Sequence, residues 1–174
     1  WHEKISFLSA VIFPLSIIFQ ILVFLRRKLI KKISFDVPII CVGNIYIGGT
    51  GKTPLVLKIY DLLKKSKKKP AIIKKEYVNL YDEINLIKFY KKEIFTNKSR
   101  PRAIRTAIKT GFNSLVLDDG FQDHSIYKNL SILCFNAKQL IGNGLTLPAG
   151  PLREPLSTIK YSQIILINGK RNVL

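Results

Sequence analysis

Between the apolar run Pro38-Ile39-Ile40-Cys41-Val42 and the segment Pro54-Leu55-Val56-Leu57 stand six residues, Gly48-Gly49-Thr50-Gly51-Lys52-Thr53. A buried strand, a glycine turn, Lys-Thr and then a helix bring successive backbone N–H groups and a helix N-terminus onto one anion. Few folds present that order, and it implies a site for a nucleoside triphosphate. The glycine that usually opens such a loop is here Tyr46. The chemically active half survives: Gly51 lets the loop turn, Lys52 reaches the β- and γ-phosphates, and the Thr53 hydroxyl ligates Mg²⁺. Gly48 through Pro54 are accordingly assigned to nucleotide binding. The plainer alternative is a flexible turn with Lys52 as a surface charge, and the strand immediately before the loop argues against it.

The hydropathy pattern extends this beginning into a sheet. Leu55, Val56, Ile59, Tyr60, Leu62 and Leu63 recur at helical spacing, and Ala71-Ile72-Ile73 follows as a short strand. Further strands are expected at 93–96, 114–117, 132–135 and 164–167, with a helix from Arg102 to Lys109. Apolar strands alternating with helices predict an α/β fold of the P-loop NTPase type, a mostly parallel sheet covered by helices on both faces. Ligands of such sheets collect at the carboxyl ends of the strands. The strand Leu115-Val116-Leu117 ends in Asp118-Asp119-Gly120. Carboxylates in that place can hold Mg²⁺ or its waters and neutralise the β- and γ-oxygens. Asp118 and Asp119 therefore join Lys52 as catalytic candidates and Thr53 as metal ligands; alone, Asp-Asp-Gly would more often be a turn.

A formal charge of +18, from 29 Lys and Arg against 11 Asp and Glu, implies an anionic partner: nucleic acid, an anionic lipid surface or a phosphorylated substrate. The run Lys64-Lys65-Ser66-Lys67-Lys68-Lys69 falls where a helix ends, and cations there are ordinary solvated residues. Cys41 and Cys134, the two cysteines, lie in apolar strands and read as reduced core residues in a cytosolic domain. No Met occurs and the sequence opens at Trp1, so it does not start at a translation start. Ile5 to Leu25 is the most apolar stretch and is followed by Arg26-Arg27-Lys28 and Lys31-Lys32. It has the length to cross a bilayer, with the basic cluster favouring a cytoplasmic position for the downstream residues. Pro14 and the scattered hydroxyls also allow a helix lying in the interface, and a buried core helix is the third option. A cleaved signal peptide fits less well, because no small-residue cleavage site precedes the charges.

With these residues in view, the chain resembles the tetraacyldisaccharide 4'-kinases of lipid A biosynthesis. The resemblance rests on Val42-Gly43-Asn44 leading into Gly48 through Pro54, on Asp118-Asp119-Gly120-Phe121-Gln122, and on Gly142-Asn143-Gly144 running into Leu147-Pro148-Ala149-Gly150-Pro151-Leu152-Arg153-Glu154-Pro155-Leu156. It implies transfer of the ATP γ-phosphate to the 4'-hydroxyl of a tetraacyldisaccharide 1-phosphate at the cytoplasmic face of a bacterial inner membrane, with ATP and Mg²⁺ as cofactors and no nucleic acid. Asp82 and Glu83 resemble the family's Gly-Asp-Glu element, which makes Asp82 the general base for the sugar hydroxyl and Glu83 a neighbour for the metal. A helix-start acidic pair is the alternative. Arg153, Glu154, Gln122 and Asn143 are the expected substrate contacts; Arg153 and Glu154 could instead be a loop ion pair. Lys98, Arg100 and Arg102 could meet phosphates or be solvated.

The implied organisation is an N-terminal membrane-associating helix with its basic flank over 1–35 and a P-loop kinase domain over 36–174. Departures from the family pattern accompany the match. Lys75-Glu76-Tyr77 stands where the family has Arg-Gly-Tyr, and Asp123 stands where it often has His, with His124 one place later and not assigned to catalysis. The family continues into a second domain past the last strand, and the expectation is that this domain is absent here. Two rival classes remain: a membrane-bound ATP-binding remnant without turnover, and a basic nucleic-acid-binding NTPase. The apolar N-terminal stretch and the Asn143 to Leu156 segment oppose the second.

Overall fold

The computed structural model describes residues 6–76, 87 and 89–169. Six strands form one sheet: β1 (Ile39–Gly43), β2 (Pro70–Lys75), β3 (Ile94–Asn97), β4 (Ser114–Asp118), β5 (Leu130–Asn136) and β6 (Ile164–Asn168). Their spatial order is β3-β2-β4-β1-β5-β6, and every neighbouring pair is parallel. The expected α/β architecture is thus present, with the parallel character complete among the described strands.

Strand alternation decides which side chains meet which helix. Val42, Ile72, Val116, Ile132 and Cys134 form one core with Val56, Ile59 and Tyr60 of α2 (Lys52–Lys65). On the other face, Ile39, Cys41, Ala71, Ile73, Leu115, Leu117 and Leu133 meet Ala103, Ile104 and Ala107 of α3 (Arg100–Lys109). The two cysteines therefore lie in different cores, both buried and free. Burial raises each thiol to about 11, as for inert core residues. Helix α3 starts two residues before the sequence expectation, after Ser99 and with Pro101 in its first turn, where a missing N–H costs nothing.

The apolar N-terminal stretch is a helix, α1 (Phe7–Leu29), opened by Ser6, whose hydroxyl accepts the Ser9 N–H at 3.1 Å. Its last turn carries Arg26, Arg27 and Lys28, favourable to the negative end of the helix dipole. A polar seam faces the domain. Ser16 Oγ donates to the Thr146 carbonyl at 2.9 Å and accepts the Ala149 N–H at 3.0 Å, while Gln20 reaches the Thr146 hydroxyl at 3.1 Å. The opposite surface is apolar and open, including Leu8, Val11, Leu15, Ile18, Leu22 and Leu25. By length and composition α1 can cross a membrane, the one such helix among the described residues.

Candidate active site

The phosphate loop leaves the carboxyl end of β1, with β4 on one side and β5 on the other. Gly51 caps α2 at φ 74°, a left-handed conformation that glycine takes without a steric cost. Lys52, Thr53 and Pro54 then form the first helical turn, so the loop and the helix N-terminus face the same space. The Thr50 hydroxyl is buried and has no hydrogen-bond partner among the described residues. Tyr46, in place of the usual first glycine, is a buried prop. Its hydroxyl accepts the Asn136 N–H at 3.2 Å and its ring packs beside Phe135, with centroids 6.3 Å apart.

The proline-rich segment is stitched along the strand exit. Ile47 N–H donates to the Pro151 carbonyl at 2.9 Å, and Arg153 N–H donates to the Ile45 carbonyl at 2.7 Å. This carries Arg153 to the mouth of the loop. Gly43 allows the third motif to close in, because a Cβ there would lie 2.5 Å from Phe121 Cβ. Asn44, fully buried, joins the pieces: its carbonyl accepts Gln122 Nε2 at 2.7 Å, its carboxamide oxygen accepts the Arg153 guanidinium, and its Nδ2 donates to the Gly48 carbonyl at 3.3 Å. Sequence reasoning placed Asn44 in a motif without a role; its position directly after the β1 strand was the available signal.

The adjacent carboxylates have different environments. Asp118 ends β4, is 1% exposed, and forms an ion pair with buried Lys74 of β2. Asp119 turns away at φ 54°, an αL position that Asp tolerates better than most residues. Its carboxylate meets Arg153 at 3.0 Å and Lys52 Nζ at 3.6 Å. Burial alone would raise Asp119, but Arg153 and Lys52 outweigh it and hold the carboxyl below its ordinary range. Arg100, 5% exposed, fixes this turn by donating to the Asp119 carbonyl at 2.6 Å and pairing with Asp123 at 3.4 Å. Burial raises Asp123 too, and the Ser125 hydroxyl and Arg100 overcome it to lower its pKa.

A cleft of about 460 Å³ opens beside Asp119, lined by Arg26, Lys75, Lys98, Arg100, Gln122 and Arg153 among others. Of the sequence candidates, Asp119, Arg153, Gln122, Lys98 and Arg100 therefore share one cavity, whereas Arg102 is exposed elsewhere on α3. Arg26, from the end of α1, is an addition that sequence reading did not assign. Asn143 braces its own loop, donating to the Ala149 carbonyl at 3.0 Å and accepting the Leu145 N–H at 3.1 Å. Glu154 is 1% exposed and lies away from the cleft, 3.6 Å from Arg27 and 3.5 Å from His124. Asp82 and Glu83 lie outside the described residues. For Mg²⁺, the Thr53 hydroxyl and the ionised, partly open Asp119 are hard oxygen donors of the right chemistry, leaving other positions for phosphate and water.

The comparisons with known proteins agree with this geometry. The chain matches the family model described as Tetraacyldisaccharide-1-P 4'-kinase over residues 8–87 and 78–173. A tetraacyldisaccharide 4'-kinase of Pelagibacter ubique is 43% identical over 99% of the chain and 54% of its own length. One from Methylobacillus flagellatus is 32% identical over 90% of the chain and 54% of its own length. Among solved structures, an LpxK from Aquifex aeolicus in complex with ATP superposes with a TM-score of 0.76 at 25% identity, covering 92% of this chain and 59% of that one. A signal recognition particle 54 kDa protein from Aeropyrum pernix, at a TM-score of 0.53 and 11% identity over 80% of this chain and 37% of that one, shares the fold. The chain spans about half the length of the curated relatives it matches. With Lys52 of the phosphate loop paired to Asp119, and Asp119 paired to Arg153 at the edge of one cleft, and with the family model and these relatives matched along the chain, the chain belongs to the tetraacyldisaccharide 4'-kinase family.

Proposed function

We propose that this chain forms the nucleotide-binding part of a kinase that moves the γ-phosphate of Mg-ATP onto the 4'-hydroxyl of a tetraacyldisaccharide 1-phosphate. The observation that carries the reading is the single cavity in which Lys52-paired Asp119 and Arg153 face cations contributed by α1, β2 and α3. Relatives named for this reaction, and a structural neighbour solved with ATP, support it.

In this reading the loop N–H groups and Lys52 hold the β- and γ-phosphates. Thr53 and Asp119 would hold Mg²⁺, which would supply charge neutralisation to the nucleotide phosphates. Arg153, released from Asp119 as the phosphates enter, is suited to a bidentate grip on a transferring or substrate phosphate. Asp82 takes the hydroxyl proton as the new P–O bond forms and the bond to the β-phosphate oxygen breaks, releasing ADP. Arg26, Lys75 and Lys98 provide an anion-binding wall for the lipid's existing phosphate.

Location is read from α1. Its polar seam is satisfied by the domain, and the apolar side chains left exposed, Leu8, Val11, Leu15, Ile18, Leu22 and Leu25 among them, suit a helix lying in a lipid interface. The cleft opens at the basic end of that helix, where an anionic lipid at the cytoplasmic leaflet would be met. Equilibrium binding of ATP with and without Mg²⁺ tests the nucleotide half. Wild-type affinity is expected to rise with Mg²⁺, to fall at least tenfold in Lys52→Ala, and to lose its Mg²⁺ dependence in Asp119→Asn. Equal affinity in Lys52→Ala would overturn the assignment.

A further inference from the structure

We infer that the carboxamides of Asn168 and Gln139 recognise the nucleotide base and select adenine over guanine, an inference that rests on the ATP-binding reading above. The sheet sets the direction. The phosphate loop follows β1, and the Asp119 and Arg153 cluster that faces the terminal phosphate stands on the β4 side. A triphosphate lying on the α2 N-terminus with its γ end toward β4 must extend its nucleoside the other way, over the carboxyl ends of β5 and β6.

Two carboxamides stand there. Asn168 ends β6, and its Nδ2 lies against Gly51, so closely that a Cβ on that glycine would push the carboxamide aside. Gln139 follows β5, and its Oε1 lies 3.3 Å from where a Cβ on Gly48 would be. Both therefore touch the phosphate loop itself, on the flank away from the carboxylates. Asn168 is exposed and Gln139 half-buried, and neither side chain makes a hydrogen bond among the described residues. Other polar groups nearby are committed: Asn136 Oδ1 accepts the Lys138 N–H at 2.9 Å, and the Asn136 N–H is held by Tyr46. A carboxamide presents one acceptor and one donor in a plane, the complement of adenine's N6 amino group and N7. Guanine offers two acceptors, O6 and N7, on the same edge and leaves the carboxamide oxygen facing an acceptor.

The experiment is calorimetric titration of the full chain with Mg-ATP, Mg-GTP and inorganic tripolyphosphate, for wild type, Asn168→Ala and Gln139→Ala. Wild type is expected to prefer ATP to GTP by about tenfold or more. At least one variant is expected to lose about 5- to 100-fold in ATP affinity, the range of one bidentate base contact, while tripolyphosphate binding stays within about twofold. Unchanged tripolyphosphate binding also shows that the loop remains folded. If wild type binds tripolyphosphate but treats ATP and GTP alike, or both variants keep the wild-type ratio, the base assignment fails and the phosphate site stands. If wild type binds none of the three, the ATP-binding reading itself fails and this inference with it.

Discussion

Burial sets the chemistry of His124. The ring is 6% exposed, and desolvation, followed by the charge of Arg27, pushes its pKa from 6.5 down to about 4. The unfolded chain takes up a proton as pH falls through 6.5, whereas the folded chain does so only near 4. Stability is therefore lost across that window, by on the order of 3 kcal/mol. Glu154 works in the opposite sense: burial raises its pKa despite Arg27, so the folded state binds that proton earlier and gains stability as pH falls. Urea unfolding of wild type and His124→Asn between pH 7 and 4 isolates the histidine, and the variant is expected to show a shallower acid loss. An identical slope would mean that His124 does not carry it. At this scale the placement of Lys52, Thr53 and Asp119 at neighbouring strand exits was legible because each lies in a short contiguous motif. Tyr46, Asn44 and the difference between Asp118 and Asp119 were not, since they depend on Asn136, Arg153 and Lys74, which are distant in sequence.

Helix α1 shows why an element can be foreseen and its role left open. Its length and apolar character are plain in the sequence, but spanning, interfacial and buried readings share that composition. What the sequence could not show is the seam of Ser16, Gln20 and Arg27 against Thr146, Ala149 and Glu154, formed with residues more than a hundred positions away. Arg27 also lies over the Tyr161 ring, 3.5 Å from its centroid, so one side chain fastens the helix to two segments. Removing one partner of a buried ion pair leaves the other uncompensated. Arg27→Met is thus expected to cost about 3 kcal/mol in urea unfolding, and adding Glu154→Gln should recover most of it. Additive losses in the double variant would show that the two side chains are not coupled. The strands were easier, because β-branched apolar runs bounded by turn residues mark buried parallel strands whatever surrounds them.

For the whole molecule, the formal charge of +18 takes on meaning through placement. Arg26, Lys75, Lys98, Arg100 and Arg153 gather at one cleft beside an apolar helix surface, the arrangement that the proposed contacts with a phosphorylated lipid require. Flotation with vesicles containing anionic lipid is expected to recover the wild-type chain and to lose it when Leu15→Glu and Leu22→Glu are combined. Equal flotation of that variant would place membrane attachment elsewhere. The parallel sheet and the position of the cleft at its carboxyl edge were legible from the order of strands, loop and helix. The convergence of the Arg153 segment onto the loop was not, because hydrogen bonds from Ile45 and Ile47 to residues 151–153 create it.

The central claim is tested most directly by incubating this chain with Mg-ATP and a tetraacyldisaccharide 1-phosphate in detergent and identifying the product by mass and by the site of the new phosphate. The expected result is a second phosphate at the 4' position, absent with Lys52→Ala and with Asp82→Ala. A wild-type chain that binds no Mg-ATP, or a lipid product that persists in Lys52→Ala, would contradict it.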